Sequence, residues 1–256
     1  MKKKIFVAVV VVLATAISGT GLFFGVRNMK MNEYKASGIM LPRDFTITAH
    51  TGCMNTEENS IESMEKGIEN GAKIIEFDVR FLPDGTPILA HDEPTGNELK
   101  LQDAFEFLAN HKEIRANVDM KATDNMPMIQ SLAEEYGVME QIFFTGIGVD
   151  FLDAVKKGSP QIPYYLNVSV EKSQAKDNEY LLSLVEQVKN AGAIGINFNY
   201  KSASKELVDV FHENGFLVSI WTVDSEYNMY KILSFAPDNM TTRNPDELSG
   251  IVREFQ

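Results

Sequence analysis

From Asp44 onward the sequence alternates two hydrophobic periodicities. Segments that read as strands run over Phe45 to His50, Lys73 to Arg80, Arg115 to Lys121, Gln141 to Thr145, Ile162 to Val168, Ile194 to Tyr200, Leu217 to Val223 and Asn239 to Thr242. Between them, helical spacing predicts helices at Ser60 to Asn70, Leu101 to His111, Pro127 to Tyr136, Phe151 to Lys157, Glu179 to Asn190, Lys205 to Asn214, Glu226 to Leu233 and Asp246 to Phe255. The turn Pro83-Asp84-Gly85 folds Pro87 to His91 back on the second strand as a hairpin. Eight strands with intervening helices, in about this length, predict an α/β fold of the (β/α)8 TIM-barrel type. A doubly wound open sheet is the runner-up, and no Gly-x-Gly-x-x-Gly turn follows the first strand to support it.

Strand parity sorts residues by face. In Ile74-Ile75-Glu76-Phe77-Asp78-Val79-Arg80 the apolar Ile75, Phe77 and Val79 share one face, so Glu76, Asp78 and Arg80 share the other. The same rule groups Thr46, Thr48 and His50, then Asn117, Asp119 and Lys121, then Tyr165 with Asn167, Asn197 with Asn199, and Ser219 with Trp221. Polar residues gather toward the C-terminal ends of the strands, the end at which barrels build active sites.

The first 43 residues have a different character. Lys2, Lys3 and Lys4 precede an uncharged apolar run from Ile5 to Val26, long enough for a bilayer span and oriented by its basic start with the C-terminus outside. Residues 1–26 are therefore expected to be a transmembrane anchor, with a signal peptide cleaved near Ala14-Thr15-Ala16 as the competing reading. Residues 27–43 read as a juxtamembrane linker or a first helix packed under the domain, and residues 44–256 as the barrel. Either reading of the front segment puts the barrel outside the cytoplasm, on the cell membrane or secreted. A single cysteine, Cys53, excludes an internal disulfide framework and is expected to be a buried small residue. A net charge of −12 without a basic stripe argues against nucleic acid as partner. The pattern is silent on oligomeric state.

Four short stretches, His50-Thr51-Gly52, Glu76-Phe77-Asp78, His91-Asp92 and Asp119-Met120-Lys121, supply two imidazoles, carboxylates and a lysine. Two like charges on one buried face are tolerable mainly with a cation between them, and hard carboxylate oxygens favour Mg2+ or Ca2+. Cleaving an anionic phosphodiester also requires a proton acceptor and a proton donor, the part that His50 and His91 fit. The other two histidines, His111 and His212, fall in helical segments and read as surface positions.

The ordered set Ala49-His50-Thr51-Gly52, Glu58-Asn59-Ser60, Gly71 to Val79, Asp84-Gly85-Thr86-Pro87, His91-Asp92, Asp119-Met120-Lys121, Trp221-Thr222-Val223-Asp224 and Asn244-Pro245 resembles the glycerophosphodiester phosphodiesterases. The resemblance covers essentially all of Asp44 to Gln256. It implies a barrel that hydrolyses glycerophosphodiesters to glycerol 3-phosphate and an alcohol with a bound divalent metal. It further implies His50 and His91 as the acid/base pair, Glu76, Asp78 and Asp119 as metal ligands, Lys121 on the phosphate and Trp221 on the glycerol side. Asn59 matches its family position. Glu58 reads either as a helix N-terminal carboxylate or as part of the metal and phosphate network.

Four departures accompany the matches. Relatives usually carry Arg directly after the first His, where this chain has Thr51, so a charge-assisted contact worth about 1.5–3 kcal/mol is missing, with Arg80 or Lys121 as replacements. The third ligand is the shorter Asp119 in place of the usual Glu, which would shift the metal or admit a bridging water. Thr242-Arg243 stands where Thr-Asp is common. Only Glu93 to Ile114 separates His91-Asp92 from the third strand, leaving no room for the extra subdomain many members insert. Two functions follow: a metal-dependent phosphodiesterase acting on small glycerophosphodiesters or on lipid or wall-polymer headgroups, or a degenerate barrel that binds such a ligand without turnover.

Overall fold

The computed structural model describes residues 26–255. Eight parallel strands form the wall of the barrel: β1 (Thr46–Ala49), β2 (Ile74–Phe81), β4 (Arg115–Met120), β5 (Ile142–Ile147), β6 (Tyr164–Asn167), β7 (Gly195–Asn199), β8 (Leu217–Trp221) and β9 (Asn239–Thr242). Each pairs with its neighbour in sequence, and β1 pairs with both β2 and β9, which closes the sheet. The remaining strand, β3 (Pro87–Leu89), runs antiparallel to β2 as the hairpin limb. Helices α2 (Ile61–Glu69), α3 (Leu101–Ala109), α4 (Met126–Glu135), α5 (Leu152–Gly158), α6 (Asn178–Ala191), α7 (Lys205–Glu213), α8 (Glu226–Leu233) and α9 (Pro245–Val252) surround it. Their bounds lie within two residues of the periodicity, except that α9 ends at Val252, three residues before the predicted Phe255. Side-chain caps set some of them: Ser60, Asp177 and Ser204 accept from the N–H groups of Ser63, Tyr180 and Leu207.

Parity becomes layering. Ile75, Phe77 and Val79 point outward and join Phe105, Phe144, Phe198 and Phe211 in the core between sheet and helices. Inside the barrel, Ile74, Phe143 and Tyr165 form a separate apolar cluster, with the Arg115 guanidinium 4.9 Å from the Phe143 ring centre. Above it the interior turns polar. Asn239 Nδ2 donates to Thr48 Oγ1 at 2.7 Å, Ser219 Oγ to Asn239 Oδ1 at 3.1 Å, and Asn197 Nδ2 to Asn167 Oδ1 at 3.0 Å. An apolar floor therefore supports a polar chamber open at the C-terminal ends of the strands.

Residues 26–35 form a helix, α1, that lies against α8 and the turn that follows α9. Tyr34 meets Tyr227 edge-on at 5.9 Å, and Lys35 sits 4.2 Å from the Tyr230 ring centre and 3.7 Å from Glu254. Met31 and Tyr34 join the main core, so the chain before Asp44 packs on the barrel's side. The anchor or signal segment read at 1–26 lies outside the described residues except for Val26. Among the described residues, no helix is long and apolar enough to cross a membrane.

Candidate active site

The parallel register of β2 and β4 sets Asp78 opposite Asp119 and Glu76 opposite Asn117. Glu76, Asp78 and Asp119 each present an oxygen within 4.8 Å of the other two. The shorter side chain at 119 therefore reaches the cluster because its strand position lies directly beside Asp78. Glu76 is 6% and Asp78 1% exposed. The Thr51 N–H donates to Glu76 Oε2 at 2.7 Å. Asn59 clamps Asp78 from both sides, its Nδ2 donating to Oδ2 at 3.0 Å and its Oδ1 accepting from the Asp78 N–H at 2.9 Å. Lys121 Nζ bridges Asp119 Oδ2 at 2.5 Å and Asp78 Oδ1 at 3.0 Å.

These contacts do not balance the charge. Burial first, then repulsion from Asp78 and Asp119, pushes the Glu76 carboxyl well above its ordinary value, against weaker help from the Thr51 N–H and Lys121. Burial alone would depress Lys121, but Asp119 and Asp78 outweigh it and hold the ammonium above its usual range. A set of three hard oxygen donors with surplus negative charge fits Mg2+ or Ca2+.

His50 follows the end of β1. Its Nδ1 can only donate to the Thr51 carbonyl, 2.7 Å away, so Nε2 is left as the acceptor. Burial pushes its pKa below the ordinary imidazole value, the Thr51 carbonyl opposes this, and the Arg243 guanidinium lowers it further. His91 sits in the loop after β3, is more than half exposed, and has Nδ1 2.9 Å from Asp92 Oδ1, so Asp92 orients the ring. Both histidines line one cavity of about 680 Å3 at the barrel mouth, with Glu58, Glu76, Asp119, Lys121 and Trp221 also on its wall. The Trp221 Nε1 is buried and is the one such side-chain atom without a hydrogen-bond partner among the described residues.

Two expected residues are placed otherwise. Arg80 is not on this wall: its Nε donates to the His91 carbonyl at 2.9 Å and its Nη1 to Glu93 at 3.2 Å, because the hairpin folds back over its strand position. In this arrangement it braces the His91 loop. Asn59 likewise holds Asp78 and is not on the cavity wall. Tyr165 belongs to the apolar floor, and Cys53 is fully buried with its Sγ against the Ser63 carbonyl. His111 bonds Phe107 and His212 bonds Asp238, both at helix ends.

Parity singled out neither Thr145 nor Gly146, and Arg243 stood only as a departure. The Thr145 hydroxyl lies 2.6 Å from both Asp119 Oδ1 and Asn117 Oδ1. It has one proton, so donation to Asp119 leaves the Asn117 amide to turn its nitrogen toward Thr145. A threonine inside an otherwise apolar strand was the available signal. Gly146 carries φ +73, and a Cβ there would collide with the Met120 carbonyl, so only glycine lets β5 pass β4 this closely.

Comparison with known proteins agrees with this geometry. The family description "Glycerophosphoryl diester phosphodiesterase family" matches residues 45–106 and 93–247. A glycerophosphodiester phosphodiesterase of Caldanaerobacter subterraneus subsp. tengcongensis is 25% identical over 250 residues, covering 81% of this chain and 98% of the relative. Among solved structures, a glycerophosphodiester phosphodiesterase from Parabacteroides distasonis superposes with a TM-score of 0.68 at 19% identity, over 82% of this chain and 97% of its own. A phosphodiesterase of Oleispira antarctica in complex with the product sn-glycerol-3-phosphate does so with a TM-score of 0.65 at 17% identity, over 83% and 97%. With the family match running from the first barrel strand into the last barrel helix, across a mouth that gathers histidines and carboxylates, the chain belongs to the glycerophosphoryl diester phosphodiesterase family and is a hydrolase of that kind.

Proposed function

We propose that the chain hydrolyses glycerophosphodiesters to glycerol 3-phosphate and an alcohol, with a divalent cation held by Glu76, Asp78 and Asp119 and with His50 and His91 moving the protons. The observation that carries this reading is the convergence of two histidines, three mutually close carboxylates and a lysine at one barrel mouth. The product bound by the Oleispira antarctica relative supports the substrate class. The cation, Ca2+ or Mg2+ by its donor set, would offset charge on the phosphoryl oxygens and so ease attack on phosphorus.

The rest falls to the chain's own side chains. Lys121, held between Asp78 and Asp119, presents a further positive charge to the phosphate. His50, with Nδ1 committed and its pKa lowered by burial, takes the proton of the attacking oxygen at Nε2. His91, oriented by Asp92, gives a proton to the departing alkoxide. Trp221 walls the glycerol side, Asn59 holds Asp78 in place, and Glu58 reaches the cavity edge. On this reading the apolar run Ile5 to Val26 tethers the barrel outside the cytoplasm, or releases it if cleaved, within reach of lipid or wall-polymer headgroups.

The purified full-length chain should release glycerol 3-phosphate from a panel of glycerophosphodiesters after addition of Ca2+ or Mg2+ and not in EDTA. His50→Ala and His91→Ala should each lower the rate by about a hundredfold or more. With a p-nitrophenyl leaving group, which departs without a proton, His91→Ala should recover while His50→Ala stays low. A folded, cation-binding protein with no release from any diester would sink the hydrolase reading of this site in favour of a binder without turnover.

A further inference from the structure

Two positions 192 residues apart flank His50. Strands β1 and β9 are neighbours with Ala49 paired to Thr242. The His50 N–H donates to the Thr242 carbonyl at 2.9 Å, and the Met54 N–H to the Arg243 carbonyl at 2.9 Å. Thr51, on one side, brings no charge, and each of its polar atoms already has a partner. It is 2% exposed, its N–H goes to Glu76, its carbonyl receives His50 Nδ1, and its hydroxyl accepts from the Asn59 N–H.

Arg243, on the other side, lines the cavity with its Nη2 3.5 Å from His50 Nε2. Asp224 fixes it, accepting from Nη1 at 3.3 Å and from the Arg243 N–H at 2.8 Å. Asp224 is itself tied down, since its carbonyl accepts from Asn244 Nδ2 at 2.9 Å. Glu58 Oε1 lies 3.7 Å from Nη2. Of the five N–H donors of a guanidinium, only two are in hydrogen bonds among the described residues. The other lysine or arginine on the cavity wall, Lys121, is paired with both Asp78 and Asp119. Arg243 is therefore the cation with donors to spare beside a histidine that faces the substrate space.

We propose that Arg243 binds the phosphate of the substrate, its guanidinium fork taking the nonbridging oxygens next to His50, with Asp224 as the positioning residue that aims it. The inference rests on the phosphodiester reading above and assigns the anion contact to a position distant in sequence from the histidine it serves. A planar fork matches two phosphoryl oxygens at once, which an ammonium does not. The half-exposed setting leaves the outer edge of the guanidinium open toward the cavity.

The test titrates sn-glycerol 3-phosphate into the full-length chain by calorimetry, with and without Ca2+ or Mg2+, alongside steady-state kinetics on a glycerophosphodiester. Arg243→Gln should weaken product binding and raise KM by about tenfold to a hundredfold, with a smaller change in kcat and an unchanged melting temperature. Arg243→Lys should recover part of the affinity, and Asp224→Asn should raise KM by less than Arg243→Gln does. Product affinity and KM unchanged in Arg243→Gln would overturn the assignment while leaving the phosphodiesterase reading intact. If Arg243→Gln does not fold, Arg243→Lys decides: several-fold weaker binding supports the fork, and parental affinity overturns it. Binding that depends on Arg243 in a parent protein without turnover would keep the anion site and sink the enzyme. A parent that neither binds nor turns over would overturn both.

Discussion

Glu76 faces two further carboxylates from an almost dry position, so burial and repulsion together favour its protonated form. The sign of the pH effect follows. In the unfolded chain this carboxyl ionises near 4.5, whereas in the metal-free fold it holds its proton to higher pH, so the fold binds the extra proton and its stability falls as pH rises above about 4.5 toward the folded value. Glu76→Gln keeps an acceptor for the Thr51 N–H and removes the charge. The metal-free variant should melt higher than the parent at pH 7, by a margin on the order of 1 kcal/mol that shrinks toward pH 4.5, and it should lose most of the thermal shift caused by Ca2+ or Mg2+. Scanning calorimetry across that range checks it, and a variant melting below its parent at pH 7 would count against the argument. The joint placement of Glu76 and Asp78 was legible because strand parity is local. Arg80 obeys the same parity and still misses the cavity, since the short return strand β3 leads the His91 carbonyl back over it.

The elements were legible from periodicity down to the closing residues, and the irregularities were not. The predicted fourth barrel strand ended at Thr145, but β5 continues to Ile147, with its register to β6 shifting between Phe144 and Ile147. Gly146 absorbs that irregularity at φ +73, its N–H donating to Asn167 at 3.0 Å and its α-carbon facing the backbone of Met120. A side chain there must displace Met120 and, with it, Asp119, whose Oδ1 would lie 3.0 Å from the new Cβ. Gly146→Ala should therefore cost about 1–3 kcal/mol of stability and weaken cation binding as well, measured by denaturant unfolding and by metal titration. Loss of stability with parental cation affinity would show that β4 gives way without moving Asp119. No periodicity could have announced this glycine, because its constraint comes from a strand 26 residues earlier.

Across the whole molecule, the segment before the barrel is part of its packing. Helix α1 puts Tyr34 against Tyr227 and Lys35 between Tyr230 and Glu254. A chain beginning at Asp44 should be less stable than one beginning at Val26, by about 1–3 kcal/mol for the half-buried apolar contacts removed, with product affinity unchanged because α1 does not line the cavity. Equal melting of the two chains would show that α1 rests on the barrel without stabilising it. The sequence by itself determined the alternation that closes a barrel, the inward face of six of its eight strands, the two histidines and the three carboxylates, because period-2 and period-3.6 patterns and residue chemistry are written in neighbouring positions. Only the tertiary structure decided that Asp119 is long enough, that Thr51 is a buried brace, that Thr145 supports the carboxylates and that Arg243 stands beside His50. Each of these depends on the register between strands and on chain closure, which bring together residues 25 to 193 positions apart.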